Sequence, residues 1–277
     1  MIPTEPGAGA PAYGWPVFST GMFAAHGTPS GIGRPLIRTA TARPASKPAQ
    51  RLDLQPIHTL ADGRLRGADA VFRRATGAIV AWPDWTPGAA WLLYAACREA
   101  WLCNAQLGAS QLMIGLTLPA GVACDADLVE YAATAIGCAS LPPGLLEIGL
   151  SEAALDGAGP DALLALSALR DLGLRVALDQ AGVLPASLAR LRRLPLTGVR
   201  LHPAMPAHLP HSRDARMAVT QAVAAAHAIE ATVLATGVST PLQRDILADL
   251  GCDAAQGPLF APPMPADAFR NTLAGLP

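Results

Sequence analysis

The stretch RVALDQAG, residues 175–182, runs out of an apolar segment into one carboxylate, Asp179, and then a neutral amide, Gln180. A carboxylate at the end of a buried strand is the kind of group that holds a hard cation or moves a proton. The amide beside it therefore raises a question of charge. Other residue types that could do chemistry lack the spacing for it. His202, His208 and His211 fall in HPAMPAHLPH, a proline-rich stretch without the helical i, i+4 arrangement that would converge them on a metal, and they read as a solvated loop. His227 sits in an alanine-rich helical pattern. The chain has no Gly-x-Ser-x-Gly elbow, no Ser-His-Asp order and no Walker-type glycine loop. The glycines of GIGRP, 31–35, have no strand before them and no helix after them. ARLRRLP, 189–195, reads as the solvated face of a helix, with Arg190 and Arg193 available to an acidic partner.

The elements that must position Asp179 show in the apolar patterning. Residues 1–50 are crowded with Gly, Pro, Ala, Ser and Thr and lack periodicity, which predicts a flexible tail. From 51 onward two extended stretches flank a turn at Asp62-Gly63, a pair suited to positive φ. A helix over about 87–106 follows. Six short apolar runs then recur at 112–118, 145–151, 174–179, 198–202, 232–238 and 252–257, with helical patterns such as DALLALSALRDLG and TPLQRDILADLG between them. Six strand-helix repeats after an extended pair and a helix predict a parallel sheet closed into a TIM-like (β/α)8 barrel, whose functional groups sit at the C-terminal ends of the strands.

Bulk properties narrow the function. A net charge of −1, from 20 basic and 21 acidic residues, supplies no broad field for a nucleic-acid polymer or an anionic membrane. Five cysteines, odd in number and without C-x-x-C pairing, predict reduced and mostly buried thiols. The first basic residue is Arg34, and the longer apolar runs are interrupted by charges such as Asp84, Arg98 and Glu230. The expectation is a cytoplasmic protein without membrane insertion.

Four segments at the expected strand ends carry a resemblance. LDLQPIHTLADGRLRGADAVFRR resembles the opening of the EAL domain, the bacterial phosphodiesterase domain that opens cyclic di-GMP. Its signature Glu-Ala-Leu reads here Asp69-Ala70-Val71. LEIGLSEAAL is similar to the family's Leu-Glu-Ile-Thr-Glu-Ser segment. LRDLGLRVALDQAGVLPASLARLRRLPLTGVRLH looks like the stretch with the Asp-Asp-Phe-Gly loop and the Leu-Lys-Ile-Asp strand, and VLATGVSTPLQRDILADLGCDAAQGPLFAPPMP like the C-terminal stretch. The resemblance covers most of 51–277 and leaves out the tail.

Active EAL domains hold two divalent metals in a carboxylate cage, with a lysine and a late glutamate to position or deprotonate the water. The resemblance implies that this cage is depleted. The signature glutamate is the shorter Asp69, the asparagine position is Gly115, the loop-ordering glutamate is Leu150 and the second aspartate is Gln180. The lysine position holds Arg200, the aspartate after it His202, and the late glutamates Thr236 and Ser239. Asp69, Glu147 and Asp179 remain, enough at most for a single weakly held Mg²⁺ or Ca²⁺, and no metal or other cofactor is expected to serve catalysis. Of the ligand-contacting positions, Gln55, Arg73, Gln256, Gly257 and Pro263 match, with Asp69, Val71, Glu147 and Asp179 completing the candidate cyclic di-GMP pocket. Stacking surface is trimmed by Ala181 and Pro258, where base-aromatic contacts would be worth roughly 1 to 3 kcal/mol per base.

Between Arg73 and Trp91 a wall helix usual in the family is shortened or missing. Trp91, Tyr94 and Trp101 share one helical face, with Trp82 and Trp85 just before, and core packing competes there with a partner surface. The expectation is a catalytically inactive EAL-domain regulator acting through a protein partner; the alternative is a receptor that binds cyclic di-GMP without cleaving it. EAL domains often pair with a copy of themselves, and a homodimer stays open here.

Overall fold

The computed structural model describes residues 50–74, 89–107, 111–118, 127–151, 160–181 and 194–274. β1 (Gln50–Thr59) and β2 (Leu65–Arg74) form the hairpin expected at Asp62-Gly63. Gly63 takes φ +70°, a left-handed conformation that costs glycine little, and the Thr59 hydroxyl donates to the Asp62 carboxylate across the turn.

After α1 (Ala89–Leu107) the chain alternates as the periodicity predicts. β3 (Met113–Leu118) is followed by α2 (Leu128–Ala139), β4 (Leu146–Ser151) by α3 (Pro160–Asp171), and β5 (Arg175–Ala181) by β6 (Gly198–Leu201). A four-residue helix α4 (Met205–His208) and α5 (Arg213–His227) lead to β7 (Thr232–Ala235), and α6 (Pro241–Asp249) to β8 (Ala254–Ala255). β9 (Met264–Pro265) and α7 (Ala266–Leu273) end the described chain. The segment where a wall helix is expected to be short or absent, and with it Trp82 and Trp85, lies outside the described residues.

Strands β2 to β8 run parallel in sequence order, and β1 closes the ring between β8 and β2, with β9 as a further partner of β1. The result is the expected eight-stranded barrel with one correction to the parallel sheet. β1 is antiparallel to β2, β8 and β9, because the short turn at Gly63 can join only antiparallel strands. β8 is also shorter than the apolar run suggested.

Helices outside and side chains inside cover both strand faces, so β3 and β4 are buried almost throughout. Leu54, Leu92, Leu93, Ile114, Leu116, Leu146, Ile148 and Phe269 anchor a continuous core. Each such side chain contributes roughly 1.5 to 3 kcal/mol by leaving water. Two helix starts are built by capping. The Ser212 hydroxyl accepts from Ala215 N, and Thr240 with Gln243 forms a reciprocal capping box at α6. No helix among the described residues is long and apolar enough to cross a membrane.

Candidate functional site

Asp69 of β2, Gly115 of β3, Glu147 of β4 and Arg175 of β5 are register partners in one row across four neighbouring strands. Side chains in such a row share a face. The two acids are two strand spacings apart, about 9.6 Å, and the residue between them has no side chain.

Arg200 reaches into that gap from β6. Its Nη1 donates to Asp69 Oδ2 at 2.8 Å, its Nη2 to Glu147 Oε1 at 2.7 Å and its Nε to the same Oε1 at 3.2 Å. Only 3% of its surface is exposed, and both carboxylates are buried with it. A Cβ on residue 115 would lie 2.2 Å from Arg200 Nη2 and 2.3 Å from Asp69 Oδ1. Glycine at 115 is what admits the guanidinium.

Further charges complete the cluster. Arg175 Nε stands 3.5 Å from Glu147 Oε2, and Arg66, which donates to Thr232 Oγ1 at 3.0 Å, acts on Glu147 from the N-terminal part of β2. Burial pushes the Glu147 carboxyl up, but Arg200, Arg175 and Arg66 together hold it below its ordinary value. Burial pushes Asp69 up against the pull of Arg200, aided by Glu147 and Asp179. Arg200 pays for its own burial through Asp69, Glu147 and Asp179, which raise its pKa above the usual arginine range. Its charge is permanent.

Asp179 is held separately. Its Oδ2 accepts from Thr117 Oγ1 at 3.0 Å and its Oδ1 from the backbone N–H of Gln180. Gln180 is exposed and takes φ +60°, where the β5–β6 register shifts. The amide that stands in place of a second carboxylate therefore points to solvent from a bulge.

On β1, Gln55 is opposite Asp69, and its Nε2 donates to the Ala261 carbonyl at 3.3 Å. Asp53, opposite Val71, is buried and pairs with Arg73 Nε at 2.8 Å and Arg51 Nε at 3.0 Å. Gln256 is buried beside Asp69. Gly257 is needed because a Cβ there would lie 2.3 Å from the Val238 carbonyl oxygen. Pro263 is half-buried. Gln55 and Gln256 thus lie beside Asp69, while Arg73 is held by Asp53.

The late-glutamate positions serve the backbone. Thr236 Oγ1 donates to the Leu201 carbonyl, while Ser239 donates through both N and Oγ to Gln243 Oε1 at the start of α6. On α1, Tyr94 packs partly against the core and Trp101 is 46% exposed, which splits the aromatic face proposed from spacing; the Trp91 side chain lies outside the description. His208 ends the short α4 and His211 follows it, both exposed, while His202 before it is half-buried and its Nδ1 accepts from Ala204 N. Of the four cysteines described, Cys97, Cys103 and Cys252 are buried, with thiols pushed up to about 12 chiefly by burial, and Cys138 is exposed.

The EAL-domain pattern matches residues 42–263. The chain belongs to the EAL-domain family. A cyclic di-GMP phosphodiesterase of Pseudomonas aeruginosa, NbdA, is 33% identical over 238 residues, covering 80% of this chain and 30% of that protein. The chain therefore spans less than a third of that relative. An uncharacterised protein of Mycobacterium tuberculosis, Rv1357c, is 31% identical over 233 residues, 78% of this chain and 76% of its own length. Among solved structures, the PaMucR phosphodiesterase in complex with c-di-GMP superimposes with TM-score 0.72 at 27% identity, covering 80% of this chain and 94% of that one. The EAL domain of Mycobacterium smegmatis DcpA, at TM-score 0.71 and 22% identity, covers 82% of this chain and 97% of its own and shares the fold.

The pair of divalent ions implied by the EAL resemblance does not fit these residues. A guanidinium already lies between Asp69 and Glu147, Gly115 offers no donor, and among the described residues no group of three or more His, Cys, Asp or Glu side chains is placed to hold a metal ion. Around the EAL barrel axis, Asp69, Glu147 and Asp179 are set against Arg66, Arg175 and Arg200. Sequence reasoning treated Arg200 as the loss of a lysine and did not see it as a counter-ion. The signal was present in the pairing of a smaller residue at 115 with a larger one at 200. Asp53, Arg66 and Arg175 carried no comparable signal, because their neighbours are set by register.

Proposed function

We propose that this EAL domain is a catalytically inactive regulator in bacterial cyclic di-GMP signalling, working in the cytoplasm by engaging another protein. The observation that carries this reading is the Arg200 guanidinium seated between Asp69 and Glu147. Opening a phosphodiester at neutral pH takes an activated water and positive charge on both the attacking and the leaving oxygen, a task suited to two metal ions. Here the carboxylates that would gather those ions are neutralised by arginines of the same chain, and Thr236 and Ser239 stand where a base is needed. Losing a base and metal ligands together removes contributions each worth roughly 10² to 10⁴ in rate. Incubation of the protein with cyclic di-GMP and Mn²⁺ or Mg²⁺ should give no product above the protein-free control. Linear product accumulation, abolished by Glu147→Gln, would overturn the reading.

For the partner surface, Trp101 on the exposed side of α1 is the support. A Trp101→Glu variant with unchanged melting temperature is expected to lose a binding partner that the parent protein retains; equal capture by both proteins rejects that face.

A second reading, a receptor that binds cyclic di-GMP without cleaving it, is favoured by the retained Gln55, Gln256 and Gly257 and by the 27% identity to PaMucR, solved with that dinucleotide. Against it, Asp53 competes with any phosphate for Arg73. Calorimetry separates the two: saturable micromolar binding lost in Arg73→Ala supports a receptor, and silence supports the protein-partner reading.

A further inference from the structure

The geometry points to an anion site at the N-terminal end of the barrel, where Arg66 and Arg175 together take a tetrahedral oxyanion of the phosphate class. The site lies at the opposite end of β5 from Asp179 and is separate from any event at the barrel mouth.

Strand order places the residues. Met113, Arg175, Gly198, Thr232 and Ala254 are the first residues of β3, β5, β6, β7 and β8, and Arg66 is the second of β2. Parallel strands bring their first residues to one end, so these groups ring the floor of the barrel. A part-open pocket of about 260 Å³ lies there, with Arg66, Glu147 and Thr232 in its wall and Arg175 beside it at Glu147 Oε2. Arg66 faces inward where the β1–β2 register shifts between Ile57 and His58, an irregularity of the kind that re-aims a side chain. The Thr232 hydroxyl holds its guanidinium at 3.0 Å and donates its own proton to the Thr197 carbonyl at 3.4 Å.

Charge at this floor is unbalanced. The guanidiniums of Arg66, Arg175 and Arg200 meet two inward carboxylates, Asp69 and Glu147, and Arg200 already engages both. Arg175 reaches only the far oxygen of Glu147, at 3.5 Å, and Arg66 bonds no carboxylate among the described residues. Asp253, the other acid that acts on Arg66, is committed to Val233 N at 2.7 Å and His227 Nε2 at 3.0 Å. Burial and the like charge of Arg175 both act against the charged form of Arg66. An anion shared by the two arginines relieves that repulsion. Each fork presents paired N–H donors to two oxygens, so two forks from different strands suit an anion with more than two, which favours phosphate or sulfate over a carboxylate. The whole chain carries a net charge of −1, so attraction of an anion here is local rather than general.

The experiment is thermal unfolding of the full chain in millimolar sodium phosphate, against sodium chloride of equal ionic strength. Phosphate should raise the parent's midpoint by about 3 °C or more, the effect of a native-state ligand at about ten times its Kd. Arg66→Gln keeps a donor for Thr232 but removes the charge and the fork, and should lose that increment. Arg175→Gln should lose it too, and each variant is read against its own chloride midpoint, so a change in basal stability does not enter. Phosphate also stabilises folded proteins by exclusion from their surface. An equal rise in the parent and both variants is therefore that general effect and overturns the proposal, as does no rise in the parent. Titration calorimetry reads the site directly: saturable phosphate binding to the parent, absent in Arg66→Gln, is expected, and heats that do not saturate overturn it. Glycerol 3-phosphate separates the sources of the group. A shift with phosphate alone assigns a free anion, and equal shifts assign the end group of a small phosphate ester. Hydrolysis of cyclic di-GMP by the parent would defeat the functional reading while leaving these outcomes independently readable.

Discussion

At the scale of single residues, the site is governed by how each charge is matched. Glu147 is held below its ordinary value of 4.5 by Arg200, Arg175 and Arg66, which outweigh its burial. A depressed carboxyl contributes stability that is fully present above its unfolded value and is lost as the pH falls through the folded one. Glu147→Gln should therefore be less stable than the parent at neutral pH, and the gap should close as the pH drops below about 4.5. A gap that stays constant in denaturant titrations from pH 7 to 3 would show that Glu147 is not held low. Gln180 offers a test of the opposite sign. It is an exposed non-glycine residue at φ +60°, a conformation that costs a side chain of order 1 kcal/mol and costs glycine little. Gln180→Gly should raise stability by roughly 0.5 to 1 kcal/mol in urea unfolding. A loss of stability would mean that the amide makes a contact that outweighs its strain.

At the scale of elements, register places the residues and capping fixes the loops around them. Asp69, Gly115, Glu147 and Arg175 share a row because β2, β3, β4 and β5 are paired in phase, and a slip of one residue in any strand would turn its member to the outer face. The end of β7 is tied differently. Gln243 Oε1 accepts from Ser239 N, Ser239 Oγ and Thr240 N, so one amide oxygen organises the whole entry to α6. Gln243→Ala should cost about 1 to 2 kcal/mol, the upper range for a lost cap, and should loosen the 236–240 loop as read by amide hydrogen exchange. Unchanged protection there would assign the loop's order to Gly237 packing on Pro203 instead.

At the scale of the molecule, the fold was largely legible and the electrostatics were not. Apolar runs bounded by glycine placed β3 to β7 and α1, α3 and α6 to within a few residues, because a strand buried on both faces and a helix closed by glycine leave strong local marks. The antiparallel course of β1 beside β8 left none, since it depends on closing the ring. Asp69, Glu147 and Asp179 were legible as candidate ligands through the resemblance of their segments to the EAL motifs. Their counter-ions were not, because Arg200 lies 131 residues from Asp69 and meets it only across the barrel.

The most direct test of this account is a crystal structure of the parent protein grown with Mn²⁺, read by anomalous scattering. The account predicts the Arg200 guanidinium between Asp69 and Glu147 and no manganese peak there. A manganese ion coordinated by those two carboxylates, with Arg200 turned away, would contradict it.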